Sequence, residues 1–220
     1  MKKIILCAAF FVAGYSASLA QDDKYTKAMQ DKVTAMDTTR SAADLVALGA
    51  TFERIADAEK TKWLPYYYAA LAQVNSAYFA GMENIKAEKT DPVADKAEAL
   101  LNKADALSPN NSEIYVVKKM IATLRMMADP MTRYMQYGPM ADQALQAAMK
   151  LNPENPRVYM LQAQDKFYTP EQFGGSKTEA KKLFEQANQK FESFKPATTL
   201  DPNWGRTVVK YFLSQFPAGS

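Results

Sequence analysis

Two stretches forty-four residues apart, KAEALLNKADALSPNN and ADQALQAAMKLNPENP, fit one register: Ala97, Leu101, Ala104 and Pro109 fall at the spacing of Ala141, Leu145, Ala148 and Pro153. Repetition at a fixed spacing constrains a fold strongly, because each unit must bury its apolar face against the next. Small residues seven apart let a neighbouring helix approach closely, the larger residue between them fills the gap, and proline ends the helix. Ala180, Phe184 and Ala187 repeat the first three terms; Glu192 stands where the proline would, so this helix is expected to continue toward Pro196.

No run of alternating β-branched residues indicates a strand, and the chain reads as helix after helix. Asp22 to Met36 is a weakly amphipathic start. Ser41 is an N-cap with Asp44 in the first turn and Leu45, Leu48, Phe52 and Ile55 on one face. Trp63 to Gly81 is the third helix, and Asp91-Pro92 is expected to open a fourth ending at Leu107. Further helices are expected near 111–128, 139–151, 155–168, 176–194 and 204–215, with Gly138-Pro139, Asn155-Pro156 and Gly174-Gly175 as punctuation. The reading is all-α: a degenerate hairpin over 22–60, repeats over about 63–109, 111–153 and 155–196, and a terminal helix over 204–215, forming one domain over 21–220.

The small–large–small–proline pattern resembles the second helix of a tetratricopeptide repeat (TPR). Tyr159 with Ala163, and Tyr68 with Leu71 and Ala72, resemble the aromatic-then-small pair of its first helix, whereas Tyr115 is followed by Lys118 and Lys119. The spacing from Pro109 to Pro153 is 44 residues, against about 34 in the family. Each hairpin must therefore carry extra residues, namely GMENIKAEKTDP, ADPMTRYMQYGP and TPEQFGG. All three join the first helix of a unit to its second, so stacking would set them along one rim. RYMQYGP, PEQFGG and PNWG are also similar to stretches in exported TPR-type proteins of the Bacteroidota.

The resemblance implies a right-handed, TPR-like solenoid of about four hairpins, with first helices lining a concave face that holds a protein or peptide partner. Residues around each leading tyrosine would point into it: Tyr66, Gln73 and Ser76; Glu113, Met120 and Thr123; Arg157, Met160, Gln164, Phe167 and Tyr168. Arg157, Gln164 and Tyr168 are expected on one open stripe with no packing duty. The alternative is a small ligand, and a carboxylate-based enzyme is a third reading; neither metal nor cofactor is expected.

The segment YTPEQFGGSKTEA imitates a phosphate loop. A P-loop read back from Lys177-Thr178 requires glycines at 176 and 171, where Ser176 and Glu171 stand. The local reading is a turn: Gly174-Gly175 supplies positive φ, and Ser176 caps the next helix with Glu179 at the capping-box position. The alternative is a small anion at that helix N-terminus beside Lys177.

MKKIILCAAFFVAGYSASLAQDD reads as a signal peptide cleaved after Ala20, giving an exported, periplasmic or secreted protein. Cys7 leaves with it, and the chain contains no histidine. Serine and cysteine nucleophile–histidine pairs are excluded, as are the ordinary zinc, haem and iron–sulfur ligand sets. Without Lys2 and Lys3, the 27 basic residues fall to 25 against 24 acidic ones, a charge of +1, and with these charges dispersed nothing favours nucleic acid. No stretch has the roughly 20 apolar residues of a membrane span. Met120, Met126, Met127, Met131, Met135, Met140 and Met149 crowd one repeat; core and groove packing is expected rather than a thioether copper site. Tyr66, Tyr67 and Tyr68 are too close in sequence to share one helix face.

Overall fold

The computed structural model describes residues 22–216; the expected signal peptide lies outside them. Among the described residues there are nine α-helices and no strand: α1 over 22–38, α2 Ala42–Glu59, α3 Trp63–Phe79, α4 Ala87–Leu107, α5 Ser112–Met127, α6 Pro130–Leu151, α7 Pro156–Tyr168, α8 Lys177–Ser193 and α9 Arg206–Ser214. Short 3₁₀ turns, Met82–Asn84 and Glu171–Phe173, follow α3 and α7. No helix among these residues is long and apolar enough to cross a membrane.

Side-chain caps set several of the starts. Ser41 Oγ accepts from Asp44 N, Asn111 Oδ1 from Glu113 N, Asn155 Oδ1 from Arg157 N and Ser176 Oγ from Glu179 N. Helices α3 and α4, α5 and α6, and α7 and α8 form successive hairpins, with α2 against α3 and α4 against α5. The first helices run parallel in register, as the α5–α7 ion pairs Glu113–Arg157 and Lys119–Asp165 show. All three repeat triads, Ala97/Leu101/Ala104, Ala141/Leu145/Ala148 and Ala180/Phe184/Ala187, are buried as their spacing requires.

Two prolines behave differently from the expectation. Pro92 and Pro139 lie inside α4 and α6, and neither opens a helix. Both are exposed, so each missing N–H leaves a carbonyl one turn back on a helix face open to solvent, where the lost bond costs least. The insert ADPMTRYMQYGP is therefore mostly helix. Asp129 caps it, Pro130 takes the first-turn position, and Arg133 braces it to α4 through two bonds to Asp91, at 2.6 and 2.8 Å. The outward face of this helical insert carries Met131, Met135 and Met140, which are exposed, whereas Met120 is buried and Met127 and Met149 pack against the core. The expectation of core packing holds for only part of that cluster.

The Gly-Gly turn divides its work. Gly174 has φ +91°, but Gly175 is needed for another reason: a Cβ there would lie 1.7 Å from Thr169 O. Lys177 Nζ donates to Phe167 O at 2.6 Å, and Glu179 pairs with Lys166. Each charged group beside the helix start already has a structural partner.

Candidate functional site

The capped starts of α5 and α7 share one edge of the array, and there the first helices meet the segment between α8 and α9. Arg157, the first-turn residue of α7, is 0% exposed. Its Nε and Nη2 donate to Glu113 Oε2 and Oε1 at 2.7 and 2.5 Å, and Nη1 donates to Trp204 O at 3.2 Å. Its guanidinium also lies against the Phe194 and Trp204 rings. Burial lowers its pKa, but the Glu113 charge and hydrogen bonds outweigh this and hold it above the ordinary value. Asn155 Nδ2 donates to Glu113 Oε1, and Tyr67, which accepts from Trp204 Nε1 at 2.9 Å, faces the other carboxylate oxygen. The Tyr67 and Tyr68 phenols are pushed well up by burial, and Glu113 adds in the same direction.

The side of the first helices that was expected to be concave and open is therefore occupied by the chain itself. Tyr68 OH donates to Leu200 O at 2.8 Å, and Gly205, at φ +104°, lies over Met160 and Phe191, where a Cβ would come within 3.1 Å of both. This overturns the expectation that Arg157 is open and free of packing duty. Tyr66 lies under Lys103 of α4, and Gln73 approaches Gly49 of α2, so these two turn away from the concave side. Ser76 is buried and donates to Gln73 O. Met120 is buried, with its carbonyl taken by Tyr78 OH. Thr123 and Gln164 are half-buried, and Thr123 Oγ1 makes no hydrogen bond. The structure thus joins Glu113 to Arg157 and Phe167 to Tyr168; it does not assemble all eleven residues into one open surface.

Phe167 and Tyr168 belong to a cluster at the opposite edge. Phe167 packs edge-on against Tyr168, Phe184, Phe212 and Phe216, and Phe184 stacks on Phe212 at 4.7 Å. Tyr168 and Tyr211 both contact Phe212, at 5.8 and 5.5 Å, yet both stand in solvent, Tyr168 at 69% exposure. Burial of part of the ring, then the neighbouring Tyr211, raises the Tyr168 phenol above its ordinary value. Phe173, 74% exposed, projects from the following turn. Sequence reasoning missed Phe173 and Tyr211, although an aromatic in the polar turn PEQFGG, and a tyrosine on the face of α9 opposite Val209 and Phe212, were available signals.

Two cavities accompany these surfaces. One, of about 340 Å³, lies between α4, α5 and α6 over Leu101 and Ile121, and its cations Lys118 and Arg125 are already paired with Asp105, Asp95 and Glu98. The other, about 280 Å³, lies between α6, α7 and α8 around Leu145 and Asp165.

No protein-family model matches the chain, and no curated protein matches it. A solved structure does: the HusA haemophore from Porphyromonas gingivalis, with 32% sequence identity, a TM-score of 0.76, and coverage of 87% of this chain and 92% of that one. The chain belongs to the HusA haemophore family. The resemblance to HusA fits the all-helical fold, while the TPR-type reading has no family model behind it.

Proposed function

We propose that this chain is an exported, non-enzymatic carrier of haem or a related porphyrin, built on a right-handed TPR-like array. The observation that carries the reading is its relation to a haemophore over nearly the whole of both chains. The surface that fits the ligand best is the aromatic cluster of Tyr168, Phe173 and Tyr211. Three exposed rings beside a packed base of Phe167 and Phe212 offer faces for a flat macrocycle. Exposed Lys210 on the same short helix supplies an ammonium for a propionate.

The lack of histidine, and of any cysteine after Cys7, excludes their axial ligation from residues 21–220, not porphyrin binding itself, since tyrosine and methionine also ligate haem iron. The scaffold reading, with a protein or peptide on the concave face, keeps only the part near Gln164, Phe167 and Tyr168 that the segment between α8 and α9 leaves uncovered.

Titration of the mature protein with ferric haem and with metal-free protoporphyrin, followed by Soret absorbance, tests the proposal. Saturable binding of both is expected, weakened roughly tenfold by the pair Tyr168→Ala and Tyr211→Ala. Absence of saturable binding of either porphyrin overturns the function, and unchanged affinity in the double variant overturns the site.

A further inference from the structure

The rim that carries the three first-to-second-helix turns exposes more than the porphyrin surface requires. Phe79 and Met82 stand at the α3–α4 turn, and Met131, Tyr134 and Met135 at the start of α6, with Met131 92% and Met135 82% exposed. Met131, Tyr134 and Met135 share one helix face through their spacing of three and four. Tyr134 is propped outward by packing over buried Gly138, where a Cβ would meet its ring at 3.1 Å. The α7–α8 turn, with Tyr168 and Phe173, continues the same line.

We infer that this rim inserts into the interface of a lipid bilayer, with the side chains of the α3–α4 and α5–α6 turns as anchors. Three features favour a lipid surface. The anchors line neither cavity, so they do not enclose a small molecule. They come from two successive elements, the α3–α4 turn and the first turns of α6, rather than from one extended face of the kind that a protein interface buries. Aromatic and thioether side chains that carry an apolar body out into solvent suit the boundary between headgroups and acyl chains.

The local charges set the lipid class. Lys86 and Lys89 stand beside Glu83 and Glu88, and Arg133 is locked to Asp91. With cations and carboxylates balanced, adhesion comes from apolar insertion and does not require anionic lipid. The inference goes beyond the porphyrin reading and does not depend on it; if both hold, Tyr168 and Phe173 lie beside a membrane from which an apolar macrocycle is taken up.

The test is flotation of the mature protein with phosphatidylcholine vesicles, at low and high salt, for the wild type, the single variant Met131→Glu, the double variant Met131→Glu and Met135→Glu, and Val46→Glu, which adds the one charge of the single variant to an exposed apolar site on α2. The wild type and Val46→Glu are expected to float with the vesicles at both salt concentrations, and the double variant to lose roughly tenfold or more in partitioning. Circular dichroism and porphyrin titration of the double variant are expected to match the wild type, separating lost membrane contact from misfolding and from a failed porphyrin site. Failure of the wild type to float, release by salt, or equal loss in Val46→Glu and the single variant overturns the inference. So does binding only to a soluble protein partner.

Discussion

The two edges of the array use the same hairpins for opposite ends. At the edge holding the starts of α5 and α7, asparagine caps, the Arg157–Glu113 pair and Trp204 converge, and nearly every polar atom has a partner inside the chain. At the other edge the α3–α4 and α7–α8 connections are longer, and together with the ends of α3 and α7 and the start of α6 they leave Phe79, Met82, Met131, Met135, Tyr168 and Phe173 in solvent. A repeat exposes both ends of each hairpin to divergence; here one end has been closed by a segment of the same chain and the other left apolar. Substitutions at the first edge should therefore read out as stability, and those at the second as binding.

The largest effect is expected at the sealed edge. Arg157→Ala or Glu113→Ala leaves a charge buried without its partner and should cost about 3–5 kcal/mol in urea unfolding, with the double variant costing less than the sum. A loss within error for both single variants would break the contrast between the edges. Next comes the shared packing register: Ala97→Leu forces an isobutyl group into a fully buried helix contact and should cost roughly 1–3 kcal/mol by the same assay.

An alkaline titration sharpens the comparison further. The Tyr67 and Tyr68 pKa values are raised in the folded state, so the native protein holds those protons more tightly than the unfolded chain. Their contribution is fully present below the unfolded value near 10 and is lost as pH rises through the folded value, at up to about 1.4 kcal/mol per phenol per pH unit. Unfolding free energies measured from pH 9 upward should fall, and in Tyr67→Phe the slope above about pH 10 should be shallower. The smallest stability effect is expected at the open rim: Met131→Ala should change unfolding free energy by less than about 0.5 kcal/mol, and a larger loss would show packing that its exposure denies.

Much of the helical framework was legible because it rests on local rules. Ser41 and Ser176 are caps, and the alanine triads face neighbouring helices, because spacing and side-chain chemistry decide both within a few residues. The proline boundaries failed because helix continuation at Pro92 and Pro139 depends on which face the ring takes, a tertiary property. Arg157 misled for a related reason. Its partners Glu113 and Trp204 lie 44 and 47 residues away, and no periodicity announces that a later segment will return to cover a concave face. Tyr168 was found by register; Tyr211 and Phe173 join it only through packing on Phe212 and a turn. The missing histidine bears only on axial ligands, and says nothing of how the faces of a macrocycle could be held.

The segment between α8 and α9 that covers the first helices also changes how the chain can unfold. Gln30 accepts from Thr199 Oγ1 at 2.9 Å, Asp37 from Gly205 N at 3.2 Å, and Arg40 Nη2 donates to Thr207 Oγ1 at 3.2 Å. An open helical array has contacts only between neighbours, so it frays from its ends and nucleates anywhere. Contacts 167 to 169 residues apart tie the first helix and the turn after it to the segment that leads into α9. Neither end of the array can then melt alone without breaking bonds to the other, and the search for these distant partners makes refolding slower than its helical content would otherwise allow.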